Sequence, residues 1–379
     1  MLEPEKRTRR PIKKWLLLGA IILGVVYVAN NCIPPASFRA AKAPREGRAM
    51  NHRVAVVYST YYQINLGGAE KLHSFDIRKY AKIYLQLNTS GLMAPEDFFV
   101  PEPVTPEDLL LVHTPAYLES LKDPARVARY LEAPAVALLP AAILDGAVLQ
   151  AFRYSTGGTV MASRLALQHG IAVNLGGGYH HAKPGSGEGF CIYADMPITI
   201  RRLQADGLIR RALVVDLDVH QGNGTAVCFA GDDNVFLFDM HEGDIYPIPK
   251  ETCDLDVELP RGTTDEAYLA RLRRELPGVF NRARPDIVFL QAGCDPLAED
   301  PLAHLAMTQQ GIVTRDALVI DESASRGVPV VMVLGGGYSP QAWEVQHASI
   351  RRTIEKYGLA RGRPHAPRSP TVKEKLYVK

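Results

Sequence analysis

Short runs of aliphatic and β-branched residues recur along the chain, separated by segments of helical length. Continuous apolar runs are typical of strands buried on both faces of a parallel sheet, and the intervening helices would cover those faces. The pattern therefore predicts a three-layer α/β/α fold with one mainly parallel sheet. The predicted strands are 54–58, 171–175, 212–217, 235–238, 287–290 and 328–334, and the predicted helices include 115–121, 161–169, 197–205 and 265–280.

A charge-free apolar run at 15–29 lies near the amino terminus, directly after six Lys or Arg residues. Its fifteen residues reach roughly 22 Å as a helix, short of the roughly 30 Å hydrocarbon core unless neighbouring residues extend it. We therefore expect a single N-terminal transmembrane helix over 15–33. The core of a signal peptide has the same length, but the run is not followed by a small-x-small cleavage site, which favours an uncleaved anchor.

The basic residues before this segment outnumber the four that follow it up to Arg48. This bias favours a cytoplasmic amino terminus and a folded body on the periplasmic or outer side of the membrane. The expected organisation is a basic flank at 1–14, the membrane segment at 15–33, an Ala-, Pro- and Arg-rich linker at 34–53, a folded domain at 54–357 and a basic tail at 358–379.

The charge balance changes along the chain. The formal net charge is +2, but the first 53 residues hold eleven Lys or Arg against three Glu, which leaves 32 basic against 38 acidic residues, or −6, in the rest. The body thus lacks the basic surface expected of a nucleic-acid-binding domain, and no direct nucleic acid binding is expected. The five cysteines have no CxxC spacing, so neither a zinc knuckle nor a disulfide framework is indicated.

Glycine-rich polar segments follow four of the predicted strands, at 176–181, 216–224, 293–295 and 335–338. In open α/β sheets, ligands bind outside the carboxyl ends of the strands. These four segments are therefore expected to form one shared site.

The segment 216–224 carries the densest chemical signal. Asp216, Asp218 and His220 recur at every second position, which places them on one side of an extended chain, and burying them is costly unless they share a cation or hydrogen bonds. Catalytic zinc usually takes three protein ligands, so Asp218 and His220 need a third, for which Asp295 is the best candidate. Ferrous iron or cobalt would suit the same set, and a helix cap is the alternative role for a lone Asp295.

Two adjacent histidines and a tyrosine supply candidate catalytic groups at the other exits. His180 and His181 suit general acid and base chemistry near neutral pH, with Asp216 and Asn223 available to fix their tautomers. A solvated loop pair without function is the alternative. Tyr338 follows three glycines, from which its hydroxyl could donate to a developing oxyanion.

Together these motifs resemble the zinc-dependent histone deacetylase family, which has the arginase-deacetylase fold and hydrolyses acyl-lysine or acylpolyamine amides. The resemblance covers 54 to about 357 and is strongest to the class IV branch, through 70–76, 112–114, 156–159 and 216–224. Two features depart from that branch, namely Ser74, where class IV relatives usually have proline, and the membrane segment.

The resemblance implies zinc on Asp218, His220 and Asp295. It also implies His180 backed by Asp216, and His181, supported by Asn223, as the principal proton shuttle. Class I relatives have aspartate where Asn223 stands. Because an amide carries no charge, the two histidines should differ electrostatically.

The resemblance further implies a substrate channel and a second cation site. The channel would be formed by Gly189, Phe190, Tyr246 and Leu302. A monovalent cation, potassium, would lie beneath the metal, held by Asp216, Asp218, His220, Asp239 and Met240.

The predicted function is zinc-dependent hydrolysis of N-acyl-lysine amides, with metal-activated water, histidine acid/base groups and Tyr338 as oxyanion donor. Long fatty acyl groups are candidates, because class IV relatives favour them and a membrane anchor would bring the site close to lipid. Deacetylation of acetylpolyamines or other small amides is one alternative. A catalytically inactive, membrane-anchored binding module is the other, although such modules usually lose ligands or the tyrosine, which this chain retains.

Overall fold

The structure, a computed structural model, describes residues 52–360. The predicted basic flank and membrane segment, nearly all of the linker and most of the carboxyl-terminal tail lie outside the described residues. Within 52–360, no helix combines the length and apolar character needed to cross a bilayer.

The described residues contain one parallel sheet of eight strands. The strands are β1 Arg53–Val57, β2 Phe98–Phe99, β3 Gly170–Asn174, β4 Ala212–Asp216, β5 Val235–Glu242, β6 Leu255–Leu259, β7 Ile287–Gln291 and β8 Val330–Val333. Their order in the sheet is β2-β1-β3-β8-β7-β4-β5-β6. The six predicted strands are present, so the prediction of a single parallel sheet is confirmed.

Helices cover both faces of the sheet. They are α1 Lys79–Thr89, α2 Pro106–Leu109, α3 Pro115–Ser120, α4 Pro124–Tyr130, α5 Ala141–Leu144, α6 Gln150–His169, α7 Asp195–Ala205, α8 Asn223–Phe229, α9 Asp265–Ala283, α10 Gln309–Ser325 and α11 Ala342–Tyr357. Neighbouring residues of a strand belong to different buried clusters: Val288 packs in one with side chains of α9, α10 and α11, and Phe289 in the other with α6, α7 and α8. The predicted three-layer arrangement is therefore confirmed.

Helix α6 begins eleven residues before the predicted start at Met161. Glycines at 157 and 158 lower the helix propensity of this segment, so the sequence did not indicate that 150–160 belong to the helix. Both glycines are close-packed: a Cβ on Gly158 would collide with the Tyr62 hydroxyl and the Asn174 side chain. The glycines therefore let α6 approach the sheet, and tertiary packing outweighs their local cost.

The two ends of the described body meet at β1. Val54 donates its backbone N–H to the carbonyl of Gly358 at 2.8 Å, and its carbonyl accepts from the N–H of Ala360 at 2.8 Å. Residues 358–360 thus belong to the folded body, although the expected boundary lies at 357.

Candidate functional site

The four polar strand exits lie side by side. Strands β3, β8, β7 and β4 are consecutive neighbours in the sheet and run in the same direction. Their carboxyl ends carry the segments 176–181, 335–338, 293–295 and 216–224, respectively. The structure therefore brings the four segments to one edge of the sheet.

Asp218, His220 and Asp295 form a buried cluster at this edge, with ligand atoms that all lie within 4.8 Å of one another. The Nδ1 atom of His220 lies 3.3 Å from Oδ1 of Asp218 and 3.3 Å from Oδ2 of Asp295. Backbone groups orient both carboxylates: Asp218 accepts from the N–H of Gly336 at 2.8 Å and Asp295 from the N–H of Val219 at 2.9 Å. All three side chains are thus held facing one point.

The electrostatics of the cluster favour a bound cation. Burial disfavours a charged His220, but hydrogen bonds to Asp218 and Asp295 outweigh burial and raise the pKa of His220 to about 10. The buried Lys79 ammonium does not bind these carboxylates, because it donates to the carbonyls of Gly335 at 2.7 Å and Gly336 at 3.2 Å. Two carboxylates and one imidazole are the donor set of a catalytic zinc site, and they also suit ferrous iron or cobalt.

The adjacent histidines have different partners. Nδ1 of His180 lies 2.9 Å from Oδ2 of Asp216, whereas Nδ1 of His181 lies 2.8 Å from Oδ1 of Asn223. Burial opposes the charged form of His180, but the Asp216 carboxylate prevails and raises its pKa to about 9. Burial, together with the positive charges of His180 and His220, holds the pKa of His181 well below its usual value. His181 is therefore the neutral member of the pair, able to accept a proton.

Tyr338 lies beside the cluster of Asp218, His220 and Asp295, and its backbone is anchored to Asp300. Its N–H donates to Oδ2 of Asp300 at 2.7 Å, and its ring centroid lies 6.0 Å from that of His220 and 5.8 Å from that of Phe190. Burial, followed by the carboxylates of the cluster, raises the pKa of the phenol well above 10. Tyr338 therefore keeps its proton and remains a neutral hydrogen-bond donor.

Of the four predicted channel residues, Gly189 and Phe190 line one cavity with His181 and Tyr338, whereas Tyr246 and Leu302 are not among its lining residues. Gly189 packs against the His181 ring, and the ring of Tyr246 lies 5.0 Å from that of His181, centroid to centroid. Phe190 lies beside Tyr338, and Leu302 donates its backbone N–H at 3.0 Å to Asp300, the residue that also binds Tyr338. Tyr246 and Leu302 remain 41% and 37% exposed, which puts them at the solvent side of the site.

The candidate catalytic side chains open onto a cavity of about 350 Å³ that also has an apolar wall. The sequence did not predict this wall. His180, His181 and Tyr338 line the cavity together with residues far away in the chain. The apolar lining includes Ile64, Leu66, Phe75, Ile77, Leu131, Ala133, Pro134, Ala135, Val136, Val148, Phe152 and Phe190. The space is thus suited to an uncharged hydrocarbon group next to the polar cluster.

The predicted potassium ligands lie close together, and some of them already have hydrogen-bond partners in the protein. Asp216 and Asp239 are paired in register across β4 and β5. Asp239 accepts from the N–H of Gly222 at 2.9 Å and contacts Nδ1 of His241 at 2.7 Å, and Met240 is fully buried. Potassium binding stays a prediction.

Two further buried residues shape the site and were not predicted. Lys79 holds the loop before Tyr338, as described above. Asp195 accepts from the backbone N–H groups of Gly178 at 3.0 Å and Tyr179 at 2.8 Å, which fixes the loop that carries His180 and His181. A lysine and an aspartate at a helix start look like surface residues in a sequence, so no signal distinguished them.

Comparisons with known proteins agree with this site. The family described as "Histone deacetylase domain" matches residues 73–354. "Histone deacetylase 2" of Arabidopsis thaliana is 36% identical over 315 residues, covering 82% of this chain and 81% of that protein. A "Probable deacetylase" of Archaeoglobus fulgidus is 31% identical over 272 residues, covering 67% of this chain and 73% of its own length.

The fold has a solved counterpart as well. The crystal structure of the HDA15 HD domain has a TM-score of 0.64 to this chain at 20% identity, covering 81% of this chain and 89% of that one. At this identity the likeness concerns the fold. The family match spans more than half of the chain and includes all four strand exits. This chain therefore belongs to the histone deacetylase domain family and is a hydrolase.

Proposed function

We propose that this chain is a zinc-dependent deacylase that hydrolyses N-acyl-lysine amides. The observation that carries the proposal is that the neutral His181 and the protonated Tyr338 line one cavity and lie beside the buried cluster of Asp218, His220 and Asp295. Relatives named as deacetylases support amide hydrolysis as the reaction class.

Residues of the chain account for the proton transfers. A zinc ion held by Asp218, His220 and Asp295 would supply Lewis-acid chemistry and lower the pKa of a water molecule. Because Nδ1 of His181 is engaged by Asn223, its Nε2 is available to take a proton from the attacking water. Tyr338 donates a hydrogen bond to the oxyanion of the tetrahedral intermediate. Transfer of the proton to the departing lysine amine then gives the free acid and the amine.

The apolar cavity favours acyl groups longer than acetyl, in keeping with the proposed likeness to class IV. A two-carbon acyl group would leave most of its 350 Å³ without contacts. On peptides carrying acetyl, decanoyl or myristoyl lysine, we expect kcat/KM to be lowest for acetyl. Each extra buried methylene adds roughly 1 kcal/mol of binding until the cavity is full.

A pair of variants tests whether the cavity holds the acyl chain. Val136 is buried in its wall, and its neighbour Ala137 is exposed. Val136→Phe should lower kcat/KM for the longer acyl groups at least about tenfold while sparing acetyl, and Ala137→Phe should leave the whole series unchanged. A wild-type preference for acetyl, or an equal effect of Val136→Phe on all lengths, would sink the long-chain proposal.

Acylpolyamines are a second candidate, supported by acidic groups near the channel. Glu70 and Glu132 line the cavity and Glu132 is exposed, so negative charge lies at its opening. Such charge suits a polycationic substrate. A higher kcat/KM for acetylspermidine than for every acyl-lysine peptide would favour this reading. Bound zinc without turnover of either class would favour the inactive binding module.

We also propose that residues 15–33 anchor the chain and that the body lies on the periplasmic or outer side of the membrane. The charge-free run and the excess of basic residues before it support this topology. In bacterial cells, alkaline phosphatase fused to the carboxyl terminus should be active and should sediment with membranes. Green fluorescent protein does not fluoresce when it is exported through this pathway. Fluorescence of a carboxyl-terminal fusion to it, with an inactive phosphatase fusion, would therefore place the body in the cytoplasm.

A further inference from the structure

The side-chain amide of Asn223 is held at both ends. Its Nδ2 donates to Oε1 of Glu188 at 2.6 Å, and its Oδ1 accepts from the backbone N–H of Gly224 at 3.0 Å. A carboxylate only accepts hydrogen bonds, so the NH₂ end of the amide faces Glu188 and the oxygen faces His181. Nδ1 of His181, 2.8 Å from that oxygen, must then carry the ring proton.

We propose that Glu188 is a positioning residue that sets the tautomer of His181 through Asn223, an inference that rests on the proposed role of His181 as the base. Neutral imidazole has one N–H and one acceptor nitrogen. With the proton on Nδ1, Nε2 can accept a proton from water. If the amide turned over, its NH₂ group would face Nδ1, the proton would move to Nε2, and the base would be lost.

Glu188 is itself fixed by its surroundings. Lys183 places its ammonium 3.1 Å from Oε1. The backbone of Glu188 is held as well, because its carbonyl accepts from the N–H of Cys191 at 2.9 Å. Asn223 and Lys183 thus both contact Oε1 of a side chain that is only 32% exposed, an arrangement unlike that of a freely solvated surface glutamate.

Both histidines are thus oriented by a carboxylate, but at different distances from the ring. A carboxylate, Asp216, contacts His180 directly, whereas for His181 the carboxylate of Glu188 acts one group further away, behind a neutral amide. The hydrogen bond between Glu188 and Asn223 is charge-assisted and short, so it holds the amide firmly. Orientation is conveyed to His181 without a full charge next to its ring.

Kinetics of single and double variants test this role. Glu188→Ala should lower kcat between about tenfold and a hundredfold with KM changed less than about threefold, because the base and not substrate binding is affected. Glu188→Gln keeps an acceptor and should recover most of that loss. In the Asn223→Asp background both carboxylate oxygens accept, so no orientation is needed and Glu188→Ala should cost nothing further. Equal losses from Glu188→Ala in both backgrounds would overturn the proposal.

A matched control separates the positioning role from a general effect on this loop. Ser186→Ala changes a side chain two positions before Glu188 and leaves the contact between Glu188 and Asn223 intact. Its kcat should stay within about threefold of the wild type. If Ser186→Ala reproduces the loss seen in Glu188→Ala, the loss reflects disturbance of the loop and the proposal is wrong.

A measurement independent of turnover distinguishes this inference from the proposed function. In ¹⁵N-histidine NMR of the metal-loaded protein, the His181 signal, assigned by its loss in His181→Asn, should report Nδ1–H in the wild type and in Glu188→Gln. Glu188→Ala should give a mixture of tautomers. An unchanged tautomer in Glu188→Ala refutes the role of Glu188, whereas a wild type that hydrolyses no acyl amide refutes the proposed function alone.

Discussion

Replacing Asp218 with alanine is expected to empty the metal site and to lower kcat/KM on the order of 10³-fold. The carboxylate supplies one of three converging ligand atoms, and without it one imidazole and one carboxylate remain. Two ligands hold zinc far more weakly than three, and the Lewis acid contributes several kcal/mol to the transition state. Zinc content by atomic spectroscopy should fall from about one per chain to near zero.

Glu299→Gln is the matched control for this prediction. It removes one negative charge from an exposed side chain four positions after Asp295, in the same loop. It should keep both the metal and the activity. Zinc should raise the melting temperature of the wild type and of Glu299→Gln but not that of Asp218→Ala, because only a chain that binds the ion in its folded state is stabilised by it. Full zinc content and activity in Asp218→Ala would refute the proposed ligand set.

The sequence predicted those site residues that lie close together along the chain. Asp218 and His220 lie beyond the end of β4 at Asp216, yet their spacing correctly grouped them because the chain continues from a buried strand. Asp295 was assigned to the same site because parallel strands place their carboxyl ends at one edge of the sheet. Local pattern and strand direction together were enough to bring these residues together.

Features that depend on packing between distant segments could not be predicted in the same way. Lys79 reaches the carbonyl of Gly335, 256 residues away in sequence, and nothing near Lys79 indicates burial. Glu188 stands in a glycine-rich loop, where a charged residue normally indicates solvent. The strand β6 was missed for a different reason: Asp256 and Glu258 interrupt its apolar residues, whereas the predicted strands were recognised as continuous runs.

The cavity illustrates the same limit for substrate choice. Its apolar wall comes mainly from loops and from the start of α6, which precede β3, and its reactive groups come from the exits of β3 and β8. Each apolar residue by itself looks like ordinary core. The reaction class could thus be predicted from sequence motifs. The cavity proposed for the acyl group could be recognised only from the three-dimensional arrangement of its lining segments.

Tyr338→Phe is expected to lower kcat by about 10²- to 10³-fold while KM changes little. The phenol is proposed to donate to charge that develops only in the transition state, so its loss should affect kcat and kcat/KM alike. Zinc content should be unchanged, because the hydroxyl is not among the proposed ligands. Stopped-flow or steady-state kinetics on one acyl-lysine peptide, with zinc measured on the same samples, would test this.

The pH profile and a second tyrosine variant make this prediction specific. Burial and the nearby carboxylates raise the pKa of the Tyr338 phenol, so its protonated, donating form persists through the neutral and mildly alkaline range. Any alkaline loss of wild-type activity below about pH 10 must then come from another group and should persist in Tyr338→Phe. Tyr61→Phe removes a phenol that stacks on Tyr154 outside the cavity, and it should leave kcat unchanged. Wild-type kcat in Tyr338→Phe, or disappearance of the alkaline limb, would exclude the proposed donor role.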